Sequence, residues 1–101
     1  MNTKISYMYT DHSNNKRHCT AIVSGRLNGR QRKTILNSLF AKVYFIPELV
    51  YLPGDSGAGD RNQFHALYTN DLEVTEEAPT VNRSIQEVAE AFKKHANAWS
   101  A

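Results

Sequence analysis

The first 25 residues contain the pattern that most constrains the fold. In the segment KISYMYT, Ile5, Tyr7 and Tyr9 alternate with other residues, and this period of two is typical of a β-strand with two different faces. The later segment HCTAIVSG is rich in β-branched and apolar residues, which favour a second strand. The intervening DHSNNKR consists largely of residues that favour turns. The sequence therefore predicts an antiparallel hairpin.

A first helix is predicted after the hairpin. Gly25 can end the second strand, and Asn28 is a suitable N-cap residue for the segment RQRKTILNSLFA. The apolar residues of this segment recur at helical spacing and are Ile35, Leu36, Leu39 and Phe40. Its cations lie near the N-terminal end, where the helix dipole disfavours them. This placement either weakens the helix or indicates that an anion approaches it.

The clearest helix start in the chain is at Ser84. Ser84 and Glu87 match the S-x-x-E capping box, in which each side chain accepts a hydrogen bond from the other residue's backbone N–H. Helical spacing relates the apolar residues that follow, which are Ile85, Val88, Phe92 and Trp99. We predict a helix that begins after Ser84 and reaches Ala98 or beyond.

Two segments between the helices have ambiguous patterns. VYFIPELVYLP is almost continuously apolar, but Pro47 lacks the N–H that a central strand donates, so an edge strand or a broken extended segment is expected. QFHALYTNDLEV fits one bent strand or two short ones, with the bend at Asn70 and Asp71. We predict a single α+β domain, residues 1–101, with an antiparallel sheet of three to four strands, two helices and the order β-β-α-β-β-α.

Composition indicates a folded domain in a reducing compartment. The chain is 41% hydrophobic and 22% charged, which separates it from disordered sequences. It has no signal-peptide pattern and no apolar run long enough to cross a bilayer, so no membrane partner is expected. Its single cysteine, Cys19, cannot form an internal disulfide. We expect a cytoplasmic protein.

Positive charge is concentrated in the N-terminal half. Residues 1–50 carry eight basic and two acidic side chains, whereas residues 51–101 carry four basic and eight acidic ones. If the hairpin tip lies near the start of the first helix, six cations could contact a partner protein or nucleic acid, and Tyr7 or Tyr9 could stack on bases. These cations are Lys16, Arg17, Arg26, Arg30, Arg32 and Lys33. Alternatively, the two halves neutralise each other within one fold.

The tetrad Gly-Asp-Ser-Gly around Ser56 matches the nucleophile motif of trypsin-like proteases but lacks its context. Such a triad needs His, then Asp, then Ser in chain order. From His18 to Pro53 the only acidic residue is Glu48, and the chain is about half the required length. We therefore interpret residues 53–63 as a connecting loop. A hydrolytic or ligand-binding site that includes Ser56 and His65 remains the least favoured alternative.

The sequence also lacks the residue spacing that phosphate, calcium and zinc sites require. The glycines of the same loop do not form a phosphate-binding motif, and its acids do not have calcium-loop spacing. The candidate zinc ligands have no C-x-x-C or H-x-x-x-H arrangement; they are His12, His18, Cys19, His65 and His95. We expect no catalytic, cofactor or metal residues, and we interpret His65 as a partly buried, hydrogen-bonded side chain.

Trp99 lies close to the C-terminus, where chains fray, so its indole needs a partner in its own chain or in another. The sequence therefore predicts Trp99 as a candidate interface residue. A homodimer could form through this helix or through an edge strand near Pro47.

Several short motifs recur along the chain in a recognisable combination. They are Tyr9-x-Asp11-x-x-Asn14, Phe45-Ile-Pro-Glu-x-Val50 with Leu52-Pro53, His65, and Thr75-Glu-Glu-Ala-Pro-Thr80 followed by Arg83-Ser-Ile. This combination resembles a family of small bacterial proteins, some carried by phages or plasmids, that has no established activity. The sequence departs from the family at Tyr51, where relatives tend to carry glycine. The resemblance implies a single cytoplasmic domain and provides no catalytic residues.

Together these observations favour a non-enzymatic protein that binds another protein through its charged surface or an exposed edge. A role as an accessory or anti-defence factor of a mobile element is part of this hypothesis. Nucleic-acid binding through the basic N-terminal half is the second hypothesis.

Overall fold

The predicted hairpin supplies one edge strand and the adjoining central strand of the sheet in a computed structural model that describes residues 1–10, 13–54 and 63–99. Strand β1 (Asn2–Thr10) pairs antiparallel with β2 (Lys16–Val23) along their whole length. Buried and partly exposed residues alternate along β1, as its sequence pattern predicts. Gly25 ends the hairpin with φ of 95°, and a Cβ there would lie 3.0 Å from Ile85 Cγ2.

Three short strands complete a five-stranded antiparallel sheet, one strand more than the upper number predicted. They are β3 (Tyr44–Phe45), β4 (His65–Ala66) and β5 (Leu72–Thr75). Both β4 and β5 pair with β1, and β3 pairs with β4. The segment QFHALYTNDLEV thus forms two strands, separated by a 3₁₀ turn at Thr69–Asp71. The apolar segment is broken as predicted, because Pro47 begins a second 3₁₀ turn after β3.

Helix α1 (Gly29–Ser38) begins at the predicted cap but ends before Phe40. Asn28 Oδ1 accepts a 2.7 Å hydrogen bond from the backbone N–H of Gln31, and Gln31 Oε1 accepts one from Asn28. The prediction that Phe40 belongs to the apolar face of this helix is wrong. Leu39 is extended, so the chain leaves the helix, and the Phe40 side chain is 49% exposed.

Helix α2 (Ile85–His95) confirms the capping box but not the predicted end. Ser84 Oγ accepts from the Glu87 N–H, and Glu87 Oε1 accepts from the Ser84 N–H, both at 3.1 Å. The helix ends three residues before Ala98. The physical reason is the backbone of Ala96, whose ψ of 130° is not helical, and Asn97 follows in the left-handed region with φ of 63°.

Both helices pack on one face of the sheet. Phe92 of α2 contacts Phe45 of β3 with ring centroids 5.2 Å apart, and Tyr7 of β1 contacts Phe45 at 5.4 Å. Ile35 of α1 and Ala21 of β2 belong to the same core. The result is an α+β domain with one covered sheet face, and the opposite face carries His18 and Tyr44, both exposed. No helix in the described ranges has both the length and the apolar character to span a bilayer.

Candidate interaction surfaces

The outer edge of β2 is covered over its C-terminal half by a returning segment of the chain. The N–H of Ile22 donates to Thr80 Oγ1 at 2.9 Å, and the Ile22 carbonyl accepts from the N–H of Thr80 at 2.8 Å. Just beyond β2, Ser24 donates its N–H to the Arg83 carbonyl and accepts from the Ile85 N–H. Residues 80–85, which we call the covering segment, therefore close this half of the edge.

The N-terminal half of the same edge is not covered. Alternate residues of an antiparallel strand direct both backbone polar groups to the same side, so Lys16, His18 and Thr20 face outward as Ile22 does. Within the part of the chain that the structure describes, no segment pairs with these three residues. All three are exposed. We call this stretch of β2, Lys16 to Thr20, the open edge.

Two carboxylates, each with hydrogen-bonding partners, flank the covering segment. Glu77 Oε2 lies 3.0 Å from Lys4 Nζ and accepts from Thr75 Oγ1 at 3.0 Å. These hydrogen bonds, with that from Lys4 the stronger influence, lower the pKa of Glu77, while Glu77 raises the pKa of Lys4. At the other end, the backbone N–H of Ser84, followed by the Arg83 guanidinium, lowers the pKa of Glu87. Both carboxylates are exposed, so solvent weakens these interactions.

The six predicted contact cations do not gather at the hairpin tip. Lys16 and Arg17 lie at the open edge, whereas Arg26 follows the far end of β2, about 23 Å away at the usual rise per residue. The start of α1 also lies at that far end, because Gly25 bonds to Asn2 and Thr3 at the beginning of β1.

The remaining cations of the set are on α1 and face different neighbours. Arg32 donates to the Thr69 carbonyl at 3.1 Å. Arg30 lines a groove between the two helices, together with Glu90. Lys33 is exposed. Tyr7 and Tyr9, proposed above as base-stacking residues, are only 2% and 8% exposed and belong to the core.

An exposed aromatic group lies at the opposite edge of the sheet, and sequence reasoning missed it. Phe40 and Tyr44 are 49% and 45% exposed, and the partly buried Phe64 lies 5.4 Å from Phe40 and 6.4 Å from Tyr44 between ring centroids. We call these three residues the aromatic surface. The sequence gives no signal for it, because Tyr44 and Phe45 are both aromatic and only the structure shows that the first is exposed and the second buried.

Tyr68 is a further exposed aromatic side chain, at 53%, on the open face of the sheet. It lines two depressions. One lies beside His18 and Met8, and the other beside Lys42 at the turn before β3. Tyr68 therefore separates the surroundings of the open edge from those of the aromatic surface.

His65 and the glycine-rich loop do not form a describable catalytic site. Residues 55–62, including Ser56, lie outside the described residues, as does His12. His65 is fully buried rather than partly buried; its Nδ1 lies 2.9 Å from the Gln63 carbonyl, and its ring packs on Tyr7 and Tyr9. Among the described residues, no three His, Cys, Asp or Glu side chains could hold one metal ion.

Trp99 is seated within its own chain. Its Nε1 donates to the Ser38 carbonyl at 2.6 Å, and its ring contacts Phe92 and Phe45. These contacts connect the end of the described chain to α1 and to the core. A role for Trp99 in an interface between molecules stays a prediction.

These features define a small α+β domain that presents an open sheet edge and an aromatic surface. Comparisons with protein-family models, curated proteins and solved structures find no match to this chain. The resemblance stated above therefore stays a prediction. The position at which it expects glycine, Tyr51, has φ of 67°, a conformation that glycine adopts without strain. Arg83 lies 4.2 Å above the Tyr51 ring, which gives the tyrosine a stabilising contact there.

Proposed function

We propose that this protein is a non-enzymatic interaction domain that binds another protein by pairing with an extended segment of it. The observation that carries the proposal is the open edge. Lys16, His18 and Thr20 direct their backbone polar groups outward, and unpaired groups of this kind are a template for an added strand.

The charge of the open edge indicates the kind of segment that pairs with it. Lys16 and Arg17 lie at its N-terminal end, and His18 is next to them. An acidic segment gains from these charges, whereas a second copy of the same edge brings two basic segments together. The proposed partner is therefore an acidic extended segment of a different protein. Assignment of this partner to a phage or plasmid context, as an accessory or anti-defence function, is supported by the resemblance alone.

A proline substitution tests strand pairing at the open edge while it leaves the pairing of β2 with β1 in place. In the variant His18→Pro, the outward N–H is lost, but the inward groups of Arg17 and Cys19 that pair with β1 are kept. The matched control His18→Ala removes the same side chain and keeps the N–H. A displayed library of random peptides is selected on the natural protein, and the enriched peptides are measured against both variants by titration.

We expect enriched peptides to be acidic and extended. Their affinity for His18→Pro should fall by about tenfold or more, because the variant loses one backbone hydrogen bond to the peptide and the proline ring pushes the peptide strand away from the edge. Their affinity for His18→Ala should change little. Circular dichroism checks that both variants are folded. Equal affinity for the two variants, or a selection that enriches no peptide, contradicts the proposal.

A further inference from the structure

A strained turn presents two aromatic side chains to solvent. Ala41 and Lys42 have φ values of 52° and 64°, in the left-handed region that non-glycine residues rarely occupy. The turn brings Phe40 and Tyr44 together, with the Phe40 N–H 2.7 Å from the Tyr44 carbonyl and the Tyr44 N–H 2.9 Å from the Phe40 carbonyl. The flanking residues Leu39 and Phe45 are buried in the core, whereas about half of each of the Phe40 and Tyr44 side chains remains exposed.

The rings of the aromatic surface pack on one another. Phe64 is tilted by 41° against Phe40 and lies nearly edge-on to Tyr44, at 70°. This arrangement fixes the orientation of the rings and leaves apolar area at the surface. Fixed and exposed aromatic rings on an open sheet face suit flat, unpaired rings such as nucleobases, which stack on them without sequence preference.

A positive charge, that of Lys42, lies next to these rings. Lys42 is in the turn between Phe40 and Tyr44, and it lines a depression together with Tyr68 and with Leu36 and Asn37 of α1. No carboxylate lines this depression among the described residues. Arg32 approaches it as well, because its guanidinium donates to the carbonyl of Thr69, which lines the same depression. Adjacent cations favour a polyanion over an apolar peptide or a second copy of this chain.

We propose that the aromatic surface binds single-stranded nucleic acid, with bases stacked on Phe40 and Tyr44 and with Lys42 close to the phosphates. This site is separate from the open edge and does not depend on the proposed protein partner. It differs from the basic surface predicted from the sequence, because the stacking residues are exposed aromatics of the β3 region instead of Tyr7 and Tyr9.

The test is fluorescence anisotropy of labelled single-stranded DNA and RNA of about twelve nucleotides, with duplex DNA as a comparison. We expect single strands to bind better than the duplex, and their affinity to fall as salt rises from about 50 mM to about 200 mM. Phe40→Ala should lower the affinity by about 5- to 150-fold, the range for loss of one stacked base. The half-exposed position of Phe40 makes this variant structurally mild.

Two matched substitutions at Phe40 separate stacking from general apolar contact. Phe40→Tyr keeps the aromatic face and should keep the affinity, whereas Phe40→Leu keeps apolar area without that face and should behave like Phe40→Ala. Lys42→Asn removes the charge with a residue that tolerates the left-handed region, and it should reduce the slope of log affinity against log salt by about 0.7. His18→Pro, at the open edge, should bind the oligonucleotide normally.

Three results would overturn the proposal. The first is no anisotropy change at low salt, and the second is unchanged affinity of Phe40→Leu. The third is a dimer in sedimentation that Phe40→Ala dissociates while no oligonucleotide binds, which would assign the aromatic surface to contact between copies. If His18→Pro binds the oligonucleotide normally but no longer binds the peptides selected on the natural protein, each proposal is supported independently of the other.

Discussion

The two halves of β2 have the same backbone geometry but different outer edges. At Ile22, the outward N–H and carbonyl bond to Thr80 and Val81 of the covering segment. At His18 and Thr20, the equivalent groups face solvent within the described part of the chain. The side chains differ as well, because residues 21–23 are buried and residues 16–18 are exposed.

This difference shows that the chain closes the sheet edge where it adjoins the core. The covering segment leads directly into α2, whose capping residue Ser84 bridges to Ser24. Closing the edge at Ile22 is thus part of placing α2 on the sheet. The open edge extends beyond that contact, and no segment of the described residues pairs with it.

Hydrogen exchange gives the largest expected contrast between the two halves. We predict that the amides of Ile22 and Ser24 exchange at least about a hundredfold more slowly than those of His18 and Thr20, after correction for intrinsic rates. The reason is that the first pair donates to the covering segment and the second pair faces solvent. Native-state exchange monitored by NMR measures each amide separately.

Alternation along the open edge provides an internal control. Cys19 faces β1 in the ladder, so its amide should be protected even though both neighbours exchange rapidly. Comparably slow exchange at His18 and Thr20 would mean that the open edge is covered in solution, and would contradict the predicted difference between the two halves of β2.

Local sequence patterns predict the strands of the hairpin and the start of α2. They do not predict which half of the outer edge of β2 is closed. The capping box at Ser84 and the alternation of Ile5, Tyr7 and Tyr9 depend on neighbours a few residues away, so the sequence carries them directly. The covering of Ile22 depends on Thr80, 58 residues later, and has no local signal.

The aromatic surface illustrates a second limit of sequence reasoning. Phe40 fits the helical spacing of α1, and no Gly or Asn at positions 41 and 42 marks the left-handed turn that ends that spacing. Tertiary packing overrides the local preference here. The limits of the open edge and the position of the aromatic surface are therefore not visible in the local sequence pattern.

Removal of the Ser84 side chain should weaken the closed half. Ser84→Ala removes the acceptor for the Glu87 N–H, and we predict a loss of about 1 kcal/mol in the free energy of unfolding. Urea unfolding followed by circular dichroism measures this change. Gln86→Ala, in the first turn of α2, is the control and should change stability by less than about 0.5 kcal/mol, because Gln86 is exposed and so are its hydrogen bonds with Gln31 and Glu90. A loss no larger than that of the control would show that the cap does not stabilise the closed half.

The smallest expected effect is that of acid on the stability of the closed half. It acts through Glu77 and Glu87, which flank the covering segment. Their folded-state pKa values lie below the ordinary glutamate value. The stabilisation that these two carboxylates provide is therefore complete above the unfolded-state pKa and is lost as the pH falls through the folded-state pKa.

We predict that the double variant Glu77→Gln, Glu87→Gln loses less stability than the natural protein between pH of about 6 and about 3, because glutamine keeps a hydrogen-bonding side chain but does not titrate. Thermal unfolding at both pH values measures the difference, and added salt should reduce it because both carboxylates are exposed. Identical pH dependence in the two proteins would show that these carboxylates do not hold the covering segment.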